Sequence, residues 1–205
     1  MPMIFRRPLP HAPSARMKVL AVFLALAAAQ AQAGTTAWKG RGDILFSGTS
    51  TLHEWSGKVT AQPFVAKVTA DDAGQLQRLE AVVAVKVAEM DTAEAGRDKN
   101  MRKSMQAGDF PLVTATMNAP FSKIMDAGSK TPARLPFALE LLGRKHQVNG
   151  KISHWKAAGN EASFGLDFEL SLKECGITVP SVLFVVRVGD TIQVHATVKL
   201  QRSND

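Results

Sequence analysis

The chain has 205 residues, 45% of them apolar and 21% charged, with a formal net charge of +7 and one cysteine. That length suits one domain with a sizeable core, and a lone Cys175 excludes an internal disulfide. The excess positive charge sits largely at the front: Arg6, Arg7, Arg16 and Lys18 precede an apolar run from Val19 to Ala29. Without those four cations the remainder carries about +3. A charge that small leaves no clustered basic stripe for nucleic acid.

The first 33 residues read as a secretory signal. A basic front and a short apolar core lead to Ala31-Gln32-Ala33, a small-x-small cleavage site before Gly34. The core is about eleven residues against the roughly twenty that span a bilayer, so the mature form is expected to keep no transmembrane anchor. Met17 opens an equally complete signal. The expectation is a signal peptide over 1–33, a single domain over 34–205, and export to the periplasm.

The mature chain is dominated by alternation of period two, which gives each strand one apolar and one wet face. After a short leader, Ile44 to Phe46 belongs to a first strand ending at a Gly48-Thr49-Ser50 turn. Leu52 to Lys58 and Thr60 to Thr69 follow, with a bend expected at Gly57. Asp71 to Gly74 is a turn, and Leu79 to Val87 is a strand with Val83, Val85 and Val87 on one face. Asp91 to Gly108 breaks the pattern: Met101 and Met105 stand four apart, Asp98 or Asp91 can cap a helix, and Gly108 suits its end. Leu112 to Met117 resumes the alternation, with Val113 and Ala115 inward. Three strands over 134–142, 147–156 and 161–173 carry Leu135, Phe137 and Leu139, then Phe164, Leu166, Phe168 and Leu170. The spacing predicts a last pair, 182–188 and 191–201, joined by a tight Gly189-Asp190 turn, with Ile192, Val194 and Val198 inward.

Roughly eight antiparallel strands and one or two short helices form an all-β domain, and such strands bury their apolar faces in a sandwich or a closed barrel. An eight-stranded barrel is either filled by its own side chains or holds one small ligand. The inward set has no charged member, so a lumen would favour a hydrocarbon chain. Nothing in the alternation separates the filled barrel from the hollow one.

Catalytic and metal motifs are not evident. His53, His146, His154 and His195 lack zinc-site spacing, and there is no nucleophile elbow, phosphate-binding loop or His-Glu-x-x-His. His195 falls on the wet face of its strand. No metal, no cofactor and no catalytic residue is expected, and Cys175 reads as a small buried hydrophobe.

Ser50-Thr51-Leu52-His53-Glu54-Trp55-Ser56-Gly57 is similar to the Ser/Thr-x-x-His-x-x-x-Gly opening of the YceI-like family. Gly96-Arg97-Asp98-Lys99-Asn100-Met101 resembles that family's Arg-Asp-x-His-Leu helix start, with Asn100 in place of the histidine. Asp109-Phe110-Pro111, Leu141 to His146 and Leu172 to Ile177 occupy the places of three later motifs in the same order. The resemblance runs from about Trp38 to Gln201. It implies a lipocalin-like barrel that holds an isoprenoid or fatty-acyl lipid, with the tail between sheet and helical cover. On that reading Val83, Val85, Phe137, Leu139, Phe164, Leu166, Phe168 and Val194 meet the ligand from the wall. Met101, Met105 and Phe110 form a lid, and Arg97 meets an anionic head group or pairs with Asp98. A homodimer is also among the expected partners. Two other readings stay open: a filled barrel acting as a structural or interaction module, and a lipid-modifying enzyme using His53 or His146 as base.

Overall fold

The computed structural model describes residues 34–178 and 188–203. The expected signal segment and most of the expected strand over 182–188 lie outside the described residues.

Nine strands run in chain order: β1 (Gly34–Ser50), β2 (Glu54–Thr60), β3 (Phe64–Ala70), β4 (Leu76–Lys86), β5 (Leu112–Pro120), β6 (Arg134–Leu141), β7 (Arg144–Ala158), β8 (Glu161–Ser171) and β9 (Val188–Arg202). One helix, α1 (Ala95–Ser104), lies between β4 and β5, and single 3-10 turns follow β4 and β5. All pairings are antiparallel, and β1 pairs with β9 to close the sheet. β2 and β3 pair with the two halves of β1, Asp43↔Thr60 and Gly40↔Phe64 lying either side of a one-residue slip. They therefore fill one place in the ring, and the result is a closed barrel of eight strand positions.

The bend in that place falls at Ala61-Gln62-Pro63, not at Gly57. Pro63 has no N–H for a ladder and is tolerated at such a break, while Ala61 and Gln62 donate to Gly42 O and Ala84 O at 2.8 Å each. Gly57 instead makes room for an aromatic neighbour, since a Cβ there would lie 2.4 Å from the Phe46 ring.

β1 is much longer than expected and absorbs both the supposed leader and the Gly48-Thr49-Ser50 turn. Gly40 and Gly42 sit at inward positions and so hide its apolar face, but Lys39, Arg41 and Asp43 mark the wet one. The Gly189-Asp190 turn is also overturned. Both residues lie inside β9, and Asp190 accepts from Ser171 Oγ at 2.7 Å and Lys173 N at 2.9 Å. Helix α1 is capped by Glu94 rather than by Asp98 or Asp91, its carboxylate accepting from Gly96 N and Arg97 N.

Two apolar clusters line the inside. Ala66, Ala81, Met117, Leu135, Phe137 and Leu166 belong to the larger. Val59, Val85, Val87, Met90, Met105, Leu141 and Cys175 form the smaller, under α1. Val87 belongs there as packing rather than as lumen wall: it starts the 3-10 turn after β4 and is 1% exposed. Removing buried volume from a filled site leaves a new cavity, whereas trimming a wall that already borders a void does not. Val87→Ala is expected to lower unfolding free energy by about 1.5–3 kcal/mol, and Val83→Ala by less than about half of that; urea unfolding of the two variants measures the difference.

Candidate functional site

The barrel encloses a cavity of about 910 Å³ that extends from α1 to the loop after β5. That volume stands near the top of the range for small-molecule sites, about 300–1,000 Å³. Its room comes from small inward residues. Gly42 on β1, Ala61 at the bend, Ala66 on β3, Ala81 on β4, Ala115 on β5, Ala162 on β8 and Ala196 on β9 all line it. The bulkier inward side chains concentrate on β6 and β8, where Phe137 and Phe168 meet edge to face at 5.3 Å between centroids. These rings stand along the wall and leave the middle open.

Every wall residue singled out in the sequence lines this cavity: Val83, Val85, Phe137, Leu139, Phe164, Leu166, Phe168 and Val194. So do Met101, Met105 and Arg97 from the helical segment. Phe110 does not; its ring packs against Gly143, where a Cβ would lie 3.0 Å away. Gly143, at φ +70°, turns β6 into β7, so Phe110 braces that turn.

Other lining residues carry no signal in the alternation. Trp38 and Gly42 come from the unrecognised stretch of β1, and Trp55 sits in the motif that contains His53. Trp155 lines the far end because β7 slips register between Ser153 and Lys156, with His154 at φ +51°. That slip moves the inward face from Ile152 to Trp155 and Ala157, a change of parity that strict alternation cannot anticipate.

The α1 end carries a polar rim. Arg97 lies 6.0 Å from the Trp55 ring centroid, and its guanidinium is 3.5 Å from both His53 Nε2 and Thr92 O. Asp98 turns away from Arg97 and anchors the helix: its Oδ1 accepts from Thr92 Oγ1 at 2.6 Å and Thr92 N at 2.9 Å, with Arg102 at 4.0 Å from Oδ2. The Thr92 hydroxyl bond, aided by the Thr92 backbone N–H and by Arg102 and Arg97, outweighs burial and holds the Asp98 carboxyl below its ordinary value. At the opposite end Lys130 is the cation among the lining residues.

His195 is not simply solvated. Its Nδ1 meets Asp167 Oδ1 at 2.5 Å on the outer face, and Ser153 Oγ donates to Asp167 Oδ2 at 2.9 Å. The bond to His195 is the main reason that Asp167 also sits below the ordinary carboxylate range. Cys175 is buried, and burial pushes its thiol up. Among the described residues no group of three or more His, Cys, Asp or Glu is placed to hold a metal ion, and no helix is long and apolar enough to cross a membrane.

A family model described as a YceI-like domain matches residues 29–200. No curated protein matches the chain by sequence. Among solved structures, BcnA of Burkholderia cenocepacia superposes with a TM-score of 0.59 at 15% identity, over 77% of this chain and 95% of that one. A polyisoprenoid binding domain from Saccharophagus degradans, implicated in plant cell wall breakdown, superposes with a TM-score of 0.52 at 12% identity, over 84% of this chain and all of the other. At those identities the superpositions establish a shared fold.

Because the Asp98 carboxyl is held down, the stability it contributes is present above the unfolded-state value of about 3.9 and is lost as pH falls through the lower folded value. Asp98→Ala is expected to cost about 2 kcal/mol at neutral pH. That difference from the native protein should shrink below about pH 4, measured by denaturant unfolding across a pH series.

Proposed function

We infer the function from a premise now in place: the chain belongs to the YceI-like family, and its barrel surrounds apolar room. The protein binds an isoprenoid or another long-chain amphiphile, with the tail in the lumen. The observation that carries this reading is the cavity of about 910 Å³, walled by Val, Leu, Ile, Phe, Met and Ala from around the ring. A relative in fold described as a polyisoprenoid binding domain supports the same class of ligand.

Water gains little from such a wall. A tail that displaces it gains about 0.8 kcal/mol per methylene buried. No directed hydrogen bond is needed along the lumen, so the wall can accept isoprenoid and straight chains alike. Met101 and Met105 border the cavity and supply an adaptable cover, since thioether side chains repack around irregular shapes. A binding role accounts for this arrangement better than turnover does. His53 meets Arg97 at the rim instead of a carboxylate that could orient it as a base.

The signal-like front, with its cut before Gly34, supports a periplasmic location, where the mature protein would carry, store or scavenge a lipid. Amino-terminal sequencing of the exported protein should begin at Gly34; an uncleaved product retained in the cytoplasm counts against that location.

Protein purified without denaturant and then extracted with organic solvent is expected to release an apolar molecule seen by mass spectrometry. Ala115→Trp, which puts an indole into the void, should lower affinity for a long-chain probe by about tenfold or more, the equivalent of about 1.4 kcal/mol. Extracts that stay empty, together with unchanged binding by Ala115→Trp, would overturn the reading.

A further inference from the structure

The barrel wall is not zipped along its whole height. Pairing between β7 and β8 runs from Ala158↔Glu161 to Lys151↔Asp167 and stops there, although β7 begins at Arg144 and β8 continues to Ser171. Over that upper stretch β7 pairs with β6, and β8 with β9. The two strands thus part like a fork, and its base is held from outside by Ser153 on β7, Asp167 on β8 and His195 on β9.

A second cavity of about 210 Å³ occupies the fork. Its chemistry is the reverse of the lumen's: His146, Gln147 and Asn149 line it from β7, Glu169 and Ser171 from β8, and Glu174 from the turn beyond. Three residues, Phe168, Leu170 and Cys175, line both cavities, so the polar pocket adjoins the apolar room behind it at these side chains. Nε2 of His146 is buried with no hydrogen-bond partner among the described residues. Such an atom in a native structure calls for a water, an ion or a ligand.

We propose that this fork is a second binding site, in the side of the barrel, which takes the uncharged or cationic head group of the amphiphile whose tail lies in the lumen. The proposal rests on the binding function inferred above and adds the place and charge class of the head. Two carboxylates line the fork and no Lys or Arg does. Of the flanking cations, Lys145 reaches Glu140 at 3.9 Å, Arg144 lies against Gly176 and Lys173 lies near Asp190, and none of the three lines the fork. A phosphate or carboxylate would meet like charge there, whereas a hydroxyl, amide or ammonium finds acceptors and donors on both strands. Strand edges that do not pair with each other add main-chain N–H and C=O groups at the same place. This assigns the head group to the wall and not to the Arg97 rim, where an anion would be preferred.

Dodecylamine, dodecanol and dodecyl phosphate share a tail and differ in head, and tryptophan emission reports the tail because Trp38, Trp55 and Trp155 line the lumen. The native protein is expected to bind the amine and the alcohol about tenfold or more tighter than the phosphate. Glu169→Lys combined with Glu174→Lys should reverse that order. Glu169 also accepts from Gln193 Nε2 at 2.7 Å, so Glu169→Gln with Glu174→Gln provides a milder pair, which should weaken binding of the amine relative to the alcohol. A native preference for the phosphate, an order untouched by both double variants, or an order that moves with Arg97→Glu instead would overturn the fork while leaving the lumen reading intact. Failure of all three probes to bind would overturn both.

Discussion

A ring of eight antiparallel strand positions has a circumference set by the spacing between strands, about 4.7–4.9 Å, and whatever volume it encloses must be filled by inward side chains or left open. Every other feature of the molecule follows from how that volume is shared. Large residues at all inward positions would fill it; here β6 offers Leu135, Phe137, Leu139 and Leu141, while β1, β3, β4 and β9 answer with Gly42, Ala66, Ala81 and Ala196. The small inward residues, which also include Ala115 on β5 and Ala162 on β8, leave the volume that becomes the cavity. Burying these small residues yields less hydrophobic stabilisation than a filled core gives. Packing away from the lumen, as at Val87, which is 1% exposed and does not line the cavity, therefore carries more weight for stability.

Closure imposes a second demand, because a twisted sheet meets its own edge only if some strands bend. Besides register shifts between Gly48 and Ser50 and between Thr69 and Ala70, two interruptions stand out among the described residues, the Pro63 break between β2 and β3 and the slip in β7 around His154. Both interruptions have fixed partners. Ala61 and Gln62 keep their amides bonded across the first break. The second lies beside the Ser153–Asp167–His195 chain, which ties three adjacent strands together where β7 and β8 begin to part. Gly165 allows that chain to form, since a Cβ there would lie 2.5 Å from Ser153 Oγ. Departures from ideal ladder geometry thus shape the wall as much as the ladder does.

The strands that alternate cleanly were legible in the sequence: β4, β5, β6, β8 and β9 show apolar residues at every second place over most of their length, and their inward sets face the cavity. Three kinds of information were hidden. Glycine at inward positions of β1 erased its apolar face, so only the charges opposite gave it away. A change of parity in β7 moved Trp155 inward without any local signature beyond a histidine that adopts positive φ. Gly189-Asp190 has the composition of a hairpin turn, yet the strand runs through it, and tertiary pairing overrides local preference. The choice between filled and hollow was written in the inward alanines. It became readable only when register showed which alanines share the interior.

The helix explains how one end of such a barrel can be covered without being sealed. Its sequence from Ala95 to Ser104 has little apolar surface of its own, so packing alone would hold it weakly. Instead it is fixed at its first turn by polar bonds: Glu94 caps it, and Asp98 reaches back to Thr92 on the segment that pairs with β2 through Asp91 and Lys58. Anchoring one end by directed bonds leaves Met101 and Met105 free to meet the lumen with flexible side chains. A cover built on apolar packing would compete with the ligand for the same contacts. A cover held by carboxylate bonds does not, and that separation of anchoring from contact lets the cavity beneath it stay open.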